Sequence, residues 1–312
     1  MYDWVIKTTT VVVDVVSKPS ADAPFPGIYS FCENPAKKCW LSDSKRLVLS
    51  TIWGSKEEIV LINTDSFSVS RLTSDPEYGA WVVLDVMDDT IVASRSAPDK
   101  PHEVVIGKVV EGAEEKGVEW TSVMSSADRL DHLAWEIIQL QGFVYVSDCE
   151  AILVSPKQVK GPPPLIVMPH GGPHSSIVAE FIMSVAAFCK LGFAVLLVNY
   201  RGSLGFGQAS ILSLPGYVGS RDVLDVQFAV ETVVDAGKAN KDYVVLSGGS
   251  HGGFIVTHLI GCYPSDYRAC VARNPVINIA SMLGTTDIPD WTYVEAGLEP
   301  FEFGQLPTEE VY

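Results

Sequence analysis

The sequence predicts a chain of two parts, an antiparallel β part followed by an α/β part with a parallel sheet. Up to about residue 130, apolar runs of strand length recur roughly every ten residues between turn residues, which is typical of antiparallel β structure. A proline-rich segment, 161–164, separates this pattern from the next one. Beyond it, apolar strands alternate with amphipathic helices, the pattern of a parallel sheet covered on both faces.

Eight segments of the first part have the length and composition of β-strands. They are residues 9–16, 27–32, 46–50, 58–63, 68–72, 81–85, 90–94 and 103–110. Clusters of Asp, Ser and Gly between them suit the turns of a meander. A β-sandwich and the blades of a β-propeller fit this pattern equally well. As a propeller it would hold about two to three four-stranded blades, whereas closed propellers have about four to eight.

The second part reads as four strands and three helices. The strands are predicted at 165–168, 193–199, 243–246 and 269–272, and the helices at 178–191, 219–236 and 252–262. Gly192 and Gly237 follow two of these helices and fit the glycine position that ends a helix in the left-handed conformation.

The composition is that of a folded globular protein that does not bind nucleic acid. The chain has 312 residues, which is enough for two domains with sizeable cores. Hydrophobic residues make up 47% and charged residues 19%, as in folded globular proteins. Lys and Arg number 22 against 38 Asp and Glu, a net charge of -16, so we expect no nucleic-acid partner.

Targeting signals and cysteines point to a cytoplasmic protein. The N-terminus lacks the basic and apolar regions of a signal peptide, and no apolar run is long enough to span a membrane, so we expect no membrane contact. The six cysteines are scattered without a C-x-x-C pair. Several lie in apolar runs, where a reduced thiol packs as a small hydrophobe, which predicts a reducing compartment.

A G-x-S-x-G motif at 248–252 is the strongest chemical signal. It follows an apolar strand and precedes an amphipathic helix, which is the setting of a nucleophile elbow. Small residues on either side let a serine sit on a strained strand-to-helix turn with its hydroxyl exposed. Ser250 is therefore the candidate nucleophile, and Gly248 and Gly252 are the flanking glycines. The alternative is a tight βα turn that merely contains a serine.

A second motif, His170-Gly171-Gly172-Pro173-His174, follows the first apolar strand of the α/β part. An oxyanion loop belongs at this place, since glycine lets the backbone approach a developing negative charge. The predicted donors are the amide of Gly172, or that of Gly171, and the amide of His251. A zinc site at His170 and His174 is discounted, because Gly-Gly-Pro between them prevents a helix and no third ligand is evident. We expect neither a metal nor a cofactor.

Arg201 follows the second strand of the α/β part, in a loop at the carboxyl end of the sheet. Such loops line the active face of parallel sheets. Two interpretations are equally good: a turn with a solvated arginine, or a residue that holds the substrate or the oxyanion loop.

Three blocks, 167–174, 194–203 and 248–253, resemble the prolyl oligopeptidase family of serine peptidases. Within it, 273–280 and 286–291 are similar to the acylaminoacyl-peptidase branch. The resemblance covers 150–297, and the β pattern of 1–130 is similar to later blades of that family's propeller. It implies a cytosolic homo-oligomer that acts on short N-acylated peptides and removes the acylated residue.

The predicted fold is therefore an α/β hydrolase preceded by part of a β-propeller. We place the partial propeller at 1–130 and the peptidase domain at 131–312. A serine hydrolase of this fold has its partners in the order Ser, Asp, His, and about two or three further βα units of some 30 residues would be needed after Ser250. The sequence ends at Tyr312, so we expect an incomplete fold that lacks C-terminal strands, from a chain truncated at both ends.

Without a triad base the 312-residue chain is expected to be nearly inactive. The one histidine after Ser250 is His258, about 12 Å further along the predicted helix. Three other functions stay open: an inactive interaction subunit, a dipeptidyl-peptidase and a simple esterase. A dipeptidyl-peptidase needs carboxylates for a free amine, for which Glu57-Glu58 and Glu114-Glu115 are candidates by residue type alone.

Overall fold

The computed structural model of the chain describes residues 1–30, 36–125, 128–140 and 149–298. The chain divides into two compact units. The first contains Met1–Asp131 together with Val178–Ala186 and Gly205–Gln208, and the second contains the other described residues from His132 onward. The sequence predicts two contiguous domains, whereas here two short segments from late in the chain pack with the first unit.

The first unit is built on β-strands. Its elements are β1 Tyr2–Asp3, β2 Thr8–Thr9, β3 Arg46–Trp53, β4 Lys56–Asn63, β5 Val69–Arg71, β6 Ala80–Met87, β7 Thr90–Ala97, β8 Lys100–Lys108, α1 Ala113–Lys116 and β9 Trp120–Ser125. Strands β3, β4 and β5 form one antiparallel meander and β6 to β9 form a second one. A single parallel pair, Glu57 with Ala80, joins them into one sheet.

The strands of the first unit form because apolar side chains can leave water on one side of the sheet. Trp81, Ile59 and Leu61 lie in a shared core with Ile91 and Val105, and each is no more than 1% exposed. Full burial of such a side chain is worth about 1.5–3 kcal/mol. The four strands β6 to β9 have the size of one propeller blade, and the partial propeller stays a prediction.

Two predicted strands of the first unit are wrong in their described parts. Of segment 9–16, only Thr9 is in a strand, and 10–16 has no ladder partner. Segment 27–30 is not a strand either, and Cys32, the end of that prediction, lies outside the described residues. Valine-rich composition favours strands, but a strand also needs a neighbour to pair with. Strand β9, which the sequence interpretation missed, pairs with β8.

The elements that follow belong mainly to the second unit. They are β10 Leu133–Leu140, β11 Cys149–Pro156, β12 Leu165–Pro169, α2 Met183–Lys190, β13 Ala194–Asn199, α3 Gln208–Leu212, α4 Arg221–Asp235, β14 Val244–Gly249, α5 His251–Cys262, β15 Ala269–Arg273, α6 Ile279–Met282 and α7 Pro289–Glu295. Helix α2 begins at Met183 rather than at the predicted residue 178. The chain before it is not helical, and Ala179 forms an antiparallel bridge with Gly79.

The sheet of the second unit has the strand order β10-β11-β13-β12-β14-β15. Strands β12 to β15 pair in parallel, which confirms the predicted parallel sheet, and β10 and β11 extend it in antiparallel pairing. The sequence interpretation missed β10 and β11. In the register, Val167 of β12 lies between Leu196 of β13 and Leu246 of β14.

Both faces of this sheet are covered. All six residues of β13 are buried, so successive side chains that point to opposite faces are equally hidden from water. Helices α4 and α5 pack on one face, in a core that includes Leu196, Val226 and Ile255. Gly237, at φ 68°, ends α4 as predicted. Among the described residues, no helix combines the length and the apolar character that crossing a membrane requires.

Candidate active site

Ser250 occupies the turn between β14 and α5, at the carboxyl end of the sheet. Its backbone has φ 54° and ψ -123°, a conformation that residues other than glycine rarely adopt. The turn is held by backbone hydrogen bonds: Ser250 N donates to Arg273 O at 3.1 Å, and Ser250 O accepts from Phe254 N at 3.1 Å. A serine strained in this way between a strand and a helix has the geometry of a nucleophile elbow.

The glycines on either side of Ser250 are required by close packing. A Cβ atom on Gly248 would lie less than 3.0 Å from Gly252 O, a separation that Cβ atoms essentially never show. A Cβ atom on Gly252 would lie 2.9 Å from His170 O and closer still to Pro169 O. These neighbours are backbone atoms that cannot rotate away. The start of α5 can therefore pack against the end of β12 only with glycine here.

The predicted oxyanion loop lies against the serine. A Cβ atom on Gly171 would be 3.3 Å from Ser250 Cβ and 3.9 Å from its Oγ, so the two turns touch. The other loop glycine, Gly172, has φ 127° and precedes a cis proline. Neither the amide of Gly172 nor that of His251 donates a hydrogen bond to a described residue. As the first residue of α5, His251 also has no acceptor within the helix. Both amides stay predicted oxyanion donors.

The His170 side chain is inside the protein and braces the loop. Its Nδ1 lies 2.6 Å from Gly171 O and its Nε2 2.7 Å from Ser203 Oγ, and the ring stacks on Tyr200 with centroids 4.3 Å apart. A carbonyl oxygen only accepts, so Nδ1 carries the proton of the neutral ring, and Nε2 lies against the Ser203 hydroxyl, which donates to Tyr200 O at 2.5 Å. Burial lowers the pKa of His170 to about 4, which keeps the ring neutral near pH 7.

Because His170 resists protonation in the folded state, acid should destabilise the protein through this side chain. An unfolded histidine takes up a proton near pH 6.5, while folded His170 does so at about 4. The stability that comes from keeping this ring neutral is fully present above pH 6.5. It is lost as the pH falls from 6.5 to 4, and the free energy of unfolding drops by a total of roughly 3 kcal/mol. Urea unfolding from pH 7 to 4.5 measures the loss.

Other groups titrate in the same range, so His170→Gln is the matched comparison. Between pH 6.5 and 5 its free energy of unfolding should fall less steeply than that of the wild type, by about 1 kcal/mol per pH unit. An imidazole NMR signal of His170 that titrates at pH 6 or above would contradict this prediction, whether or not the variant folds.

Arg201 is buried, and this rules out the interpretation as a solvated turn. It is 2% exposed, and its Nε and Nη2 donate to the two oxygens of Asp225 at 2.7 and 2.6 Å. The backbone N of Arg201 donates to the same carboxylate at 3.0 Å. The pair ties the loop after β13 to helix α4. A role in holding the oxyanion loop stays a prediction, and these contacts describe a support beneath the site.

The sequence interpretation missed three residues that surround the site: Asp222, Tyr200 and Glu295. Asp222 Oδ2 lies 2.8 Å from His251 Nε2, and Tyr200 donates its hydroxyl to His170 O at 2.9 Å. The His174 ring lies between Gly202 O at 2.8 Å and the buried Glu295 at 3.2 Å. A signal for Asp222 exists in the sequence: it lies one helical turn before Val226, on the side of α4 that the apolar pattern assigns to the core.

No general base contacts the nucleophile within the described part of the chain, where Ser250 Oγ makes no hydrogen bond. Four imidazoles lie in this unit near the site in sequence, and each has another partner; they are His170, His174, His251 and His258. The nitrogen Nδ1 of His258 bonds to Phe254 O within α5, as expected for a helix-packing residue. Among the described residues no cluster of three or more ligating side chains could hold a metal ion.

Comparison with known proteins places these features in a family. Residues 4–132 match the model of the N-terminal domain of acylamino-acid-releasing enzyme, and residues 179–302 match the model of the prolyl oligopeptidase family. The human acylamino-acid-releasing enzyme is 48% identical over 100% of this chain and 43% of its own length. The Arabidopsis thaliana enzyme of that name is 37% identical over 99% of this chain and 43% of its own. The chain thus spans about two fifths of these relatives.

Solved structures share the fold. A puromycin-hydrolyzing peptidase of Mycobacterium tuberculosis superposes with a TM-score of 0.71 at 19% identity, over 94% of this chain and 43% of that one. An acylaminoacyl peptidase of Pyrococcus horikoshii gives 0.63 at 14% identity, over 79% of this chain and 38% of that one. With the strand–Ser250–helix turn and the two matching domain models, the chain belongs to the prolyl oligopeptidase family and is similar along its whole length to acylamino-acid-releasing enzymes.

Proposed function

We propose that the protein is a serine peptidase that releases an N-acylated amino acid from the blocked N-terminus of short peptides. The observation that carries the proposal is Ser250, held at φ 54° between β14 and α5 with the loop of Gly171 touching it. The substrate class is supported by the relatives named acylamino-acid-releasing enzyme, which match both parts of the chain. The resemblance also implies a homo-oligomer.

In the proposed reaction, Ser250 Oγ attacks the carbonyl carbon of the acylated residue and loses its proton to a general base. The carbonyl oxygen becomes an oxyanion, which accepts hydrogen bonds from the amides of His251 and Gly172. The C–N bond then breaks, the protonated amine of the shortened peptide leaves, and water hydrolyses the acyl-enzyme to return Ser250. Removing one donor from an oxyanion hole typically lowers kcat about 10² to 10³-fold.

We propose that neither the general base nor the acid that orients it is among the described residues. The four imidazoles near the site already bond to Gly171 and Ser203, Gly202 and Glu295, Asp222, or Phe254. Loss of triad members costs about 10⁴ to 10⁶ in turnover. We therefore propose that the described residues alone turn over very slowly, and that activity belongs to the protein at its natural length.

A fluorophosphonate probe tests the nucleophile. At natural length, the protein should be labelled on the peptide that contains Ser250, and Ser250→Ala should abolish labelling. Ser247→Ala, in β14 on the same strand, is the matched control and should label like the wild type. Equal labelling of Ser250→Ala and wild type would overturn the assignment. A folded protein that is never labelled would favour the inactive interaction subunit, which the missing hydrogen bond of Ser250 Oγ also fits.

Substrates with and without an acyl group test the specificity. Acetyl-alanyl p-nitroanilide should be cleaved faster than free alanyl p-nitroanilide. A preference for the free amine would instead support an exopeptidase that binds an α-ammonium group. We also propose a cytoplasmic location: the five cysteines of the described residues form no disulfide with one another, and Cys149 and Cys189 are buried, which suits a reducing compartment.

A further inference from the structure

Asp222 has no part in the reaction proposed above, yet it lies fully buried next to the nucleophile turn. It is 0% exposed, and its partner His251, the residue after Ser250, is 2% exposed. The carboxylate divides its two oxygens. Oδ1 accepts the backbone N–H groups of Gly219 at 2.8 Å and Val223 at 3.0 Å, and Oδ2 faces His251 Nε2 at 2.8 Å.

This division fixes where the proton of His251 resides. A carboxylate oxygen only accepts hydrogen bonds, so the ring nitrogen that faces it must carry a proton in either charge state of the imidazole. Nε2 of His251 is therefore the donor. Because the two backbone N–H groups hold Oδ1, the carboxylate cannot rotate, and Oδ2 stays directed at His251 Nε2.

The anchored ring belongs to the residue whose backbone amide is the predicted oxyanion donor. Phe254 stacks on one side of the His251 ring, with centroids 5.3 Å apart, and Tyr200 lies 5.9 Å away. Tyr200 in turn stacks on His170, which braces the loop of the second predicted donor, Gly172. One hydrogen bond and a row of stacked rings thus connect α4 with both turns of the oxyanion hole.

We propose that Asp222 is a positioning residue of the oxyanion hole: it holds the imidazole of His251 through Nε2–H and thereby fixes the direction of the His251 backbone N–H. This inference rests on the proposed function and adds a residue to it. Orientation of a catalytic group by a buried carboxylate is effective because the carboxylate selects one tautomer and one ring orientation.

Asp222→Asn tests the tautomer with little change of shape. The amide oxygen of the asparagine should stay with Gly219 N and Val223 N, since an NH₂ group there would face two donors. Its NH₂ group then faces His251 Nε2 and donates to it, so the proton should move to Nδ1. In protein with ¹⁵N-labelled histidine, NMR should show Nε2–H of His251 in the wild type and its loss in the variant. Nε2–H retained in the variant would overturn the proposal.

The backbone amide of His251 reports the positioning without any activity. Its ¹H–¹⁵N signal should shift or broaden in Asp222→Asn, while that of Gly261, at the far end of α5, stays in place. Asp235→Asn, which alters an exposed carboxylate on the same helix α4, should change neither signal. A changed tautomer with an unmoved His251 amide signal would also overturn the proposal. These readouts decide it even if the proposed peptidase activity is not found.

Kinetics of the natural-length protein separate positioning from a merely structural role. Asp222→Asn should lower kcat about tenfold, less than complete loss of an oxyanion donor, and leave KM unchanged. In a His251→Phe background, which has no imidazole to orient, Asp222→Asn should have no further effect on kcat. An equal loss in both backgrounds, or a change confined to thermal stability, would show that Asp222 is structural and contradict the proposal.

Discussion

Gly252→Ala is expected to destabilise the second unit by about 3 kcal/mol, although alanine is normally the better helix former. In an open helix the change would stabilise by about 1 kcal/mol. Here the added Cβ would lie 2.9 Å from His170 O and closer to Pro169 O, and both belong to the backbone at the end of β12. Overpacking of this kind typically costs about 1–3 kcal/mol, and rigid backbone neighbours place it at the upper end. Urea unfolding measures the loss.

Gly261→Ala is the matched control on the same helix. Position 261 is exposed, and a Cβ there has nothing within 4 Å. This change should stabilise the protein by about 0.5–1 kcal/mol. Fluorophosphonate labelling should also fall in Gly252→Ala, because the loop of Gly171 would be displaced from Ser250. Equal stability of the two variants would show that α5 does not start against β12.

Arg201→Met is expected to cost about 3–5 kcal/mol, the usual effect of breaking a buried ion pair on one side. Burial raises the pKa of Asp225, and the hydrogen bonds and charge of Arg201 counteract that rise. Without the guanidinium the buried carboxylate loses its cationic partner and must take up a proton or draw in water. Thermal and urea unfolding near neutral pH measure the effect.

A second substitution distinguishes the lost ion pair from a packing defect. In Arg201→Met/Asp225→Asn no buried charge remains, and the amide oxygen can still accept from the backbone N of residue 201. The double variant should recover about half of the lost stability or more, because removal of both charges avoids the unpaired carboxylate. If it is as unstable as the single variant, the cost comes from the shape of the arginine side chain.

The turn around Ser250 could be predicted from sequence because its physical requirements are local. A strand, two glycines and a helix suffice to set it, and the structure places Ser250 and Gly171 together. The supporting contacts of His251 and Arg201 could not be predicted in the same way. They come from Asp222 and Asp225 of α4, and which loops face that helix depends on the strand order of the sheet.

Strands were predicted correctly where burial produces a continuous apolar run. They were predicted wrongly, or missed, where strand formation depends on a neighbouring strand to pair with. The run 194–199 is apolar throughout and lies in the middle of the sheet. In contrast, 10–16 is rich in valine but pairs with no strand of the described structure, so it is not a strand itself. Strands β10 and β11 mix polar and apolar residues ahead of the proline-rich segment, and only the pairing of β11 with β13 shows that they belong to this sheet.

The way in which segment 178–186 packs with the first unit affects the order of folding during synthesis. The meanders of β3 to β9 join neighbouring stretches of chain and can pair as soon as they leave the ribosome. Their contacts with the later segment, from Ala179 N to Ser55 O and from Phe181 N to Ser96 Oγ, must wait for about 50 more residues. The ribosome adds about 5–20 residues per second, so for several seconds the nascent first unit lacks part of its final packing.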